Sequence, residues 1–233
     1  MRTAIPSTRR TRRTGAGKAL IGLSSILLAL SGATSASAQT ETPVRGMSES
    51  DAARATIIDF ARCTVRSHRA VVEHLLTKSP LDKGSQYALG KLADSDCMSP
   101  GDLQIPYSLM RGGLYAALYM ADYDFAPPVS IITPLDFTAD VGGAATPEAQ
   151  QYLWLHQFAD CVVRADPQDS RALVLAGVAN PSESAMFAAL APHFSGCMVK
   201  GQSLTFSKAV LAGLIAEVLY RQTKAASVRR SGS

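Results

Sequence analysis

An internal repeat is the feature that most constrains the fold of this chain. The segment Phe60–Arg66, FARCTVR, recurs as Phe158–Arg164, FADCVVR, and each copy is followed by a Cys-Met pair, at Cys97 and at Cys197. All four cysteines of the 233-residue chain occupy these matched places. A repeat of this kind indicates one structural unit duplicated in tandem, so we expect two copies of the same architecture.

The first 38 residues have the three parts of an export signal. Six basic residues come first, an apolar run follows from Ala19 to Leu30, and small residues end at Ala38. This is the pattern of a cleaved signal peptide. The apolar run is shorter than the stretch of about 20 residues that a membrane-spanning helix needs. We therefore predict a signal peptide over 1–38, a secreted or periplasmic location, and no membrane span in the mature chain.

Cleavage of the signal changes the electrostatic character of the chain. The signal holds six of the 23 basic residues and none of the 19 acidic ones, so the mature chain carries 17 basic and 19 acidic residues. A nucleic-acid partner needs a clustered basic face, which this balance does not support. The basic residues between Lys224 and Arg230 are predicted to belong to a flexible tail over 223–233. The expected partner is a protein or a small ligand of the cell envelope, and the sequence leaves the oligomeric state open.

The four cysteines are expected to form disulfides, because an exported protein folds in an oxidising compartment. Each repeat alone holds only about 70 to 80 residues, a size at which covalent cross-links matter. Four cysteines allow three pairings. A unit that existed singly before duplication could pair only its own two cysteines, which favours Cys63–Cys97 and Cys161–Cys197.

Helix start signals stand at corresponding places in the two copies. Each copy opens with a serine or threonine cap, followed by an acidic residue in the first turn, and later has a polar residue directly before a proline. Apolar periodicity fills the segments between these starts. The predicted starts are Ser48, Thr146-Pro147, Ser79-Pro80 and Asn180-Pro181.

These signals predict four helices in each repeat. The first ends near Arg66 or Arg164, the next two are short, and the last is long and apolar. The last predicted helices are Pro106–Tyr119 and Phe206–Tyr220. When their final tyrosines are aligned, Gly112 and Gly213 fall at the same position. Because glycine destabilises a helix interior, its recurrence indicates close helix packing at this point.

The whole pattern predicts an all-α fold. We expect a first helical repeat over 39–122, a proline- and glycine-rich linker over 123–145 that packs against the repeats, and a second helical repeat over 146–222. The two long apolar helices should form the shared centre of a pseudo-twofold helical domain.

Arginine is the one ionisable residue type that both copies of the motif keep, as Arg66 and Arg164. A guanidinium group binds carboxylate or phosphate groups, so the pair is a candidate anion-binding site. Placement at a helix end, where a cation favours the negative end of the dipole, explains the same residues without a ligand and is the preferred interpretation.

A second candidate is a metal site in the second repeat. His156 and Asp160 are four residues apart, so they share a helix face and would bind a metal if His193 came close. The sequence contains no catalytic serine elbow and no calcium-binding loop. We predict no cofactor and no catalytic residue. A hydrolase or metal-binding enzyme that uses these three residues is kept as the alternative.

The repeated motif, the capped proline helix, the Cys-Met pair and the terminal Leu-Tyr helix together resemble those of exported all-helical proteins of Gram-negative bacteria that carry this unit once or in tandem. The resemblance covers almost the whole mature chain. It implies the helical unit but brings no catalytic residues. Our leading hypothesis is a non-catalytic binding module that holds a protein or a small ligand, with a purely structural envelope component as a further possibility.

Overall fold

The computed structural model of the protein describes residues 46–92, 97, 105–125, 133–198 and 206–231. Within these ranges the chain forms seven α-helices and no β-strand, so the predicted all-α class is confirmed. The described residues all belong to one unit that spans 42–233. The helices are α1 Glu49–Leu76, α2 Lys83–Lys91, α3 Tyr107–Tyr123, α4 Pro147–Ala165, α5 Pro167–Leu175, α6 Pro181–Cys197 and α7 Lys208–Ser231.

The first helix of each repeat begins where the sequence predicts. Ser48 Oγ accepts a hydrogen bond of 3.1 Å from the backbone N–H of Asp51, and Thr146 Oγ1 accepts one of 3.3 Å from Ala149. Each bond satisfies a backbone donor that the helix itself leaves free. Pro147 lies in the first turn of α4, where its missing N–H costs no hydrogen bond.

The two predicted helices at the start of the first repeat are one continuous helix with a kink. His68 has φ −133° and ψ 31°, which interrupts the helical geometry of α1. In the second repeat the helices are separate, because Asp166 caps α5 by accepting a 2.9 Å hydrogen bond from the N–H of Asp169. His68 and Asp166 occupy the same position when Cys63 is aligned with Cys161.

The predicted start of the third helix is correct in one repeat and wrong in the other. Asn180 caps α6, with Oδ1 accepting a 3.0 Å hydrogen bond from Ser182 N–H. In the first repeat the cap is Asp82 rather than Ser79, because the Asp82 carboxylate accepts bonds from both the N–H and the hydroxyl of Ser85. A charged acceptor at a helix N-terminus is also favoured by the helix dipole.

Two disulfides join the cysteines in the predicted pairing, Cys63–Cys97 and Cys161–Cys197. The Cα–Cα distance is 5.5 Å in each. Cys63 lies in α1 and its partner lies beyond the end of α2. Cys161 lies in α4 and its partner is the last residue of α6.

The centre of the domain is the crossing of α3 and α7, as the two glycines indicate. A Cβ atom built on Gly112 would lie 2.6 Å from the Cα atom of Gly213, closer than any packed side chain allows. The two backbones therefore touch at this point. Helix α1 packs on α3 and α4 packs on α7, so the buried apolar side chains form one core. The largest fully buried ones are Phe158, Leu89, Leu114, Leu118, Leu190, Ile215 and Leu219.

Residues 223–231 of the predicted flexible tail form the last part of helix α7, and Thr223 and Ala226 are buried. Just before this segment, the Gln222 amide donates to Thr133 O at 2.9 Å and to Asp160 Oδ1 at 2.7 Å, and these bonds hold α7 against the linker and α4.

The linker packs against the repeats, as expected: Phe137 and Val141 are buried, and a short 3-10 helix spans Ala139–Val141. The predicted signal peptide over 1–38 and the middle of the linker, 126–132, lie outside the described residues.

Candidate functional site

A cleft with a cavity volume of about 360 Å³ lies beside the crossing of α3 and α7. Helix α4 forms its third wall, and the turn before α2 closes one side. Much of the lining is aliphatic, while the polar groups come from three helices. The lining includes Pro80, Leu81, Tyr107, Ser108, Leu109, Arg111, Glu148, Tyr152, Leu155, His156, Val210, Leu214 and Glu217.

A buried ion pair between α3 and α7 forms part of the cleft wall. Arg111 Nη2 donates to Glu217 Oε1 at 2.7 Å, and Arg111 Nε donates to Oε2 at 3.0 Å. The side chains are only 5% and 3% exposed. Burial by itself would raise the pKa of the Glu217 carboxyl, but the Arg111 guanidinium and the nearby His156 outweigh it and hold the pKa well below its usual range. Glu217 is therefore a buried carboxylate that stays ionised.

Further polar groups extend this pair towards the linker. Arg111 Nη2 also donates to Tyr115 Oη at 3.2 Å. The Tyr152 hydroxyl donates to Asp140 Oδ2 at 2.8 Å, and Arg221 Nη1 donates to the same oxygen at 2.5 Å. Burial raises the pKa of Tyr152, and the negative charge of Glu217 raises it further, so the hydroxyl keeps its proton. The result is a connected set of charges and hydroxyls inside the domain.

His156 presents one ring nitrogen to the cleft. Its Nδ1 lies 2.8 Å from the backbone oxygen of Tyr152, and because a carbonyl only accepts, this nitrogen carries a proton. Nε2 lies 3.3 Å from Glu217 Oε2, at an angle outside hydrogen-bond geometry, and has no hydrogen-bond partner among the described residues. The ring stacks on that of Tyr152 at a centroid distance of 3.8 Å and is 4% exposed, so its position is well defined.

His156 forms no hydrogen bond with a hydroxyl or thiol among the described residues. A histidine that acts as a general base for a nucleophile has a nitrogen within hydrogen-bond reach of a hydroxyl or thiol. Among the described residues, one nitrogen of His156 contacts a carbonyl and the other faces a carboxylate. Buried polar groups in an otherwise aliphatic cleft are what fixes the orientation of a bound small molecule.

The three predicted metal ligands do not come together. His156 lies in the cleft, whereas the buried Asp160 accepts hydrogen bonds from Arg164 Nε at 2.8 Å and from Gln222 Nε2 at 2.7 Å. His193 is about one third exposed and faces Asp166 at 3.9 Å. No group of three metal-binding side chains occurs in the described part of the chain. The helix spacing of His156 and Asp160 is real, but each side chain has a different partner.

The two repeated arginines also have separate surroundings. Arg164 forms its ion pair with Asp160, one turn earlier on α4, so its charge is used inside the repeat. Arg66 is exposed on α1 and lines a shallow groove with Arg62 and Asp59. The structure shows a pairing with a neighbouring acid for Arg164 and no corresponding pairing for Arg66 among the residues it describes.

Sequence reasoning missed Arg111 and Glu217, although a signal was present. Both are charged residues inside runs that are buried throughout, Arg111 within 110–119 of α3 and Glu217 within 215–220 of α7. Such residues are rarely fully buried unless they are paired. The alignment of the copies gives a second signal, because Arg111 aligns with Ala212 and Glu217 with Ala116, so neither charge belongs to the shared pattern.

A second, smaller cavity lies on the other face of the helix crossing. Its volume is about 70 Å³, and it is lined by residues that align with those of the cleft. Ile58 aligns with His156, and Ala116 and Ala212 align with the two partners of the buried ion pair. The aligned positions of α3 and α7 are thus charged on one face of the crossing and apolar on the other, while a separate buried ion pair between Arg54 and Glu183 also lines the smaller cavity. We call the two spaces the polar cleft and the apolar cavity.

Comparisons with protein-family models, curated proteins and solved structures yield no match to this chain. None of the helices in the described ranges has the length and apolar character needed to cross a membrane.

Proposed function

We propose that the two halves of the mature chain are a tandem duplication packed about a pseudo-twofold axis. The matched order of helices supports this, with the kink at His68 standing where Asp166 separates α4 from α5. The equivalent disulfides and the contact of Gly112 with Gly213 give further support. In this arrangement the polar cleft and the apolar cavity are equivalent places in the two repeats.

We further propose that the protein is an exported, non-catalytic binding module that holds a small ligand in the polar cleft. The carrying observation is that α3 and α7 carry a buried ion pair, Arg111–Glu217, on one face of their crossing and alanines at the aligned positions on the other. A buried ion pair has a large desolvation penalty and is often replaceable by apolar residues without loss of stability. The alanines at the aligned positions support a crossing that packs without such charges, and the charges on the cleft side therefore favour a role in binding.

The proposal also includes a location outside the cytoplasm. The export signal predicted from the sequence and the two disulfides both favour a secreted or periplasmic protein. The ligand is a small molecule rather than a long segment of another protein, because a cavity of about 360 Å³ is near the lower end of the range for small-molecule sites.

The test compares two variants that place the same side chain on the two faces of the crossing. Ser108 lines the polar cleft, and Ala209, which aligns with it, lines the apolar cavity. The full chain is produced with its export signal as wild type, Ser108→Trp and Ala209→Trp. The mature proteins are purified and denatured, and the released small molecules are identified by mass spectrometry.

The proposal expects a compound that is released from the wild type and from Ala209→Trp but not from Ser108→Trp. Far-UV circular dichroism and thermal unfolding show whether the two variants are equally folded. A compound released equally by all three proteins would contradict a site in the polar cleft. Failure of wild type to retain any compound, even after incubation with a total metabolite extract, would contradict the proposed function.

A further inference from the structure

Two arginines stand one turn apart on α1 without an acidic partner. Arg62 and Arg66 are both exposed, and neither forms an ion pair or a side-chain hydrogen bond with the residues that the structure describes. The aligned residues in the second repeat are Asp160 and Arg164, which pair at 2.8 Å. The first repeat thus has a second arginine in place of the acid. Like charges at this spacing repel each other, so an anion between them would relieve the repulsion.

Both arginines line a groove between α1, α3 and the end of α5. The groove has a volume of about 620 Å³. Asp59 and Asp124 also line it, but no ion pair joins either acid to an arginine of the groove within the described ranges. The two guanidinium groups are therefore free to bind a ligand. The apolar part of the wall is formed by Ile58, Val65, Ala117, Met120 and Leu175.

The groove adjoins the apolar cavity, because Ile58, Met120 and Gly177 line both spaces. The charged residues of the cavity wall, Arg54 and Glu183, form an ion pair with each other. An apolar space of this kind stays dry, and an alkyl group that enters it gains contacts that the walls otherwise lack. Since a space of roughly 10 to 15 Å³ holds one water, the cavity of about 70 Å³ has room for about four methylene groups.

We infer that the groove and the apolar cavity together bind a single-chain alkyl carboxylate. Its carboxylate accepts hydrogen bonds from Arg62 and Arg66, and the end of its chain lies in the cavity. A guanidinium group matches a carboxylate through two parallel hydrogen bonds. Ile57 lines the cavity and lies about 8 to 14 Å along α1 from the two arginines, a distance that an extended chain of about ten carbons covers. This site is separate from the polar cleft and goes beyond the proposed function.

The experiment uses three soluble probes that separate the head from the chain: decanoate, decylammonium and butyrate. Binding to the mature wild-type protein is measured near neutral pH by isothermal titration. Decanoate should bind at least about tenfold more tightly than decylammonium, because only an anion satisfies the arginines. Each buried methylene changes the affinity about fourfold, so butyrate should bind about a hundredfold more weakly than decanoate. Equal affinity of decanoate and either other probe would overturn the inference.

A double variant connects the preference for an anion to the two arginines. Arg62→Gln/Arg66→Gln should weaken decanoate binding about tenfold and remove its advantage over decylammonium. Lys78→Gln/Lys83→Gln is the matched control, since it removes the same charge from exposed residues that do not line the groove. The control should bind decanoate as the wild type does. Equal weakening in the two double variants would contradict a role for the arginines.

The variants Ala209→Trp and Ser108→Trp connect the chain to the cavity. Ala209 lines the apolar cavity, so a tryptophan there should abolish decanoate binding, whereas Ser108→Trp in the polar cleft should leave it unchanged. Decanoate bound with full affinity by a folded Ala209→Trp variant would contradict the position of the chain. Failure of decanoate to bind the wild type would end this inference but not the proposed function, which Ser108-dependent release of a compound tests separately.

Methyl NMR of the wild type keeps the inference testable even if Ala209→Trp does not fold. Saturation with decanoate should shift the methyl signals of Ala116 and Ala212, which line the apolar cavity and not the polar cleft. The methyl signals of Leu81 and Val210, which line only the polar cleft of the two spaces, should change little. The reverse pattern would place the chain in the polar cleft and overturn the inference.

Discussion

Replacing Gly112 by alanine tests the backbone contact at the centre of the domain. The new Cβ atom would lie 2.6 Å from the Cα atom of Gly213. Carbon atoms in contact are ordinarily about 3.5 to 4.0 Å apart, so α3 and α7 would have to separate by roughly 1 Å. Overpacking of this kind destabilises by about 1 to 3 kcal/mol. The better helix propensity of alanine offsets up to about 1 kcal/mol of this.

The expected net effect of Gly112→Ala is a destabilisation of about 1 to 2 kcal/mol. Urea unfolding with the disulfides intact measures it as a fall in the midpoint of roughly 0.5 M or more, since the slope for small proteins is about 1 to 3 kcal/mol/M. Gly90→Ala is the control, because Gly90 is an exposed residue of α2 and an added Cβ would meet nothing within 4 Å. The control should be neutral or more stable. A Gly112→Ala variant as stable as Gly90→Ala would refute the contact.

Three further predictions concern the covalent and ionic links. Replacing both cysteines of either disulfide by serine should destabilise the protein by about 2 to 5 kcal/mol. The two effects should be similar, because the bonds close loops of 34 and 36 residues. Urea unfolding of the two double variants measures this, and a change near zero would contradict it. Glu217→Ala should destabilise by about 3 to 5 kcal/mol because it leaves Arg111 buried without its partner. The double variant Arg111→Ala/Glu217→Ala carries alanine, the residue type at both aligned positions, and should be more stable than Glu217→Ala. A double-mutant cycle that shows simple additivity would contradict the pairing. The pKa of Glu217 is lower in the folded protein than its ordinary value of about 4.3, so the carboxylate contributes fully to the free energy of unfolding above that pH and loses this contribution as the pH falls towards the folded-state pKa. The stability difference between wild type and Glu217→Gln should therefore shrink below about pH 4. A constant difference down to acid pH would refute the pKa shift.

The features predicted correctly from the sequence are those that a short segment or the repeat itself encodes. The caps at Ser48, Thr146 and Asn180 depend on residues two or three positions apart. The disulfide pairing follows from the repeat. The approach of Gly112 to Gly213 was predictable because an unfavourable residue occurs twice at the same place in otherwise apolar helices.

The features that were not predicted depend on contacts between distant segments. Arg111 and Glu217 are 106 residues apart, and nothing in either neighbourhood specifies the other. The packing of α7 beyond residue 222 depends on the fold as well, because Thr223 and Ala226 are buried only in the folded domain. The predicted metal site failed for the same reason, since helix spacing brings His156 and Asp160 to neighbouring places but does not determine which third residue each will contact.

The contact between Gly112 and Gly213 also has a consequence for the spaces on either side of it. Both glycines line the polar cleft and the apolar cavity, so the two spaces share a wall. This wall consists of backbone alone at its thinnest point, with no side chain that could change rotamer to absorb a displacement. The two spaces on either side of the crossing are thus separated, at this point, by main-chain atoms and two hydrogen-only side chains.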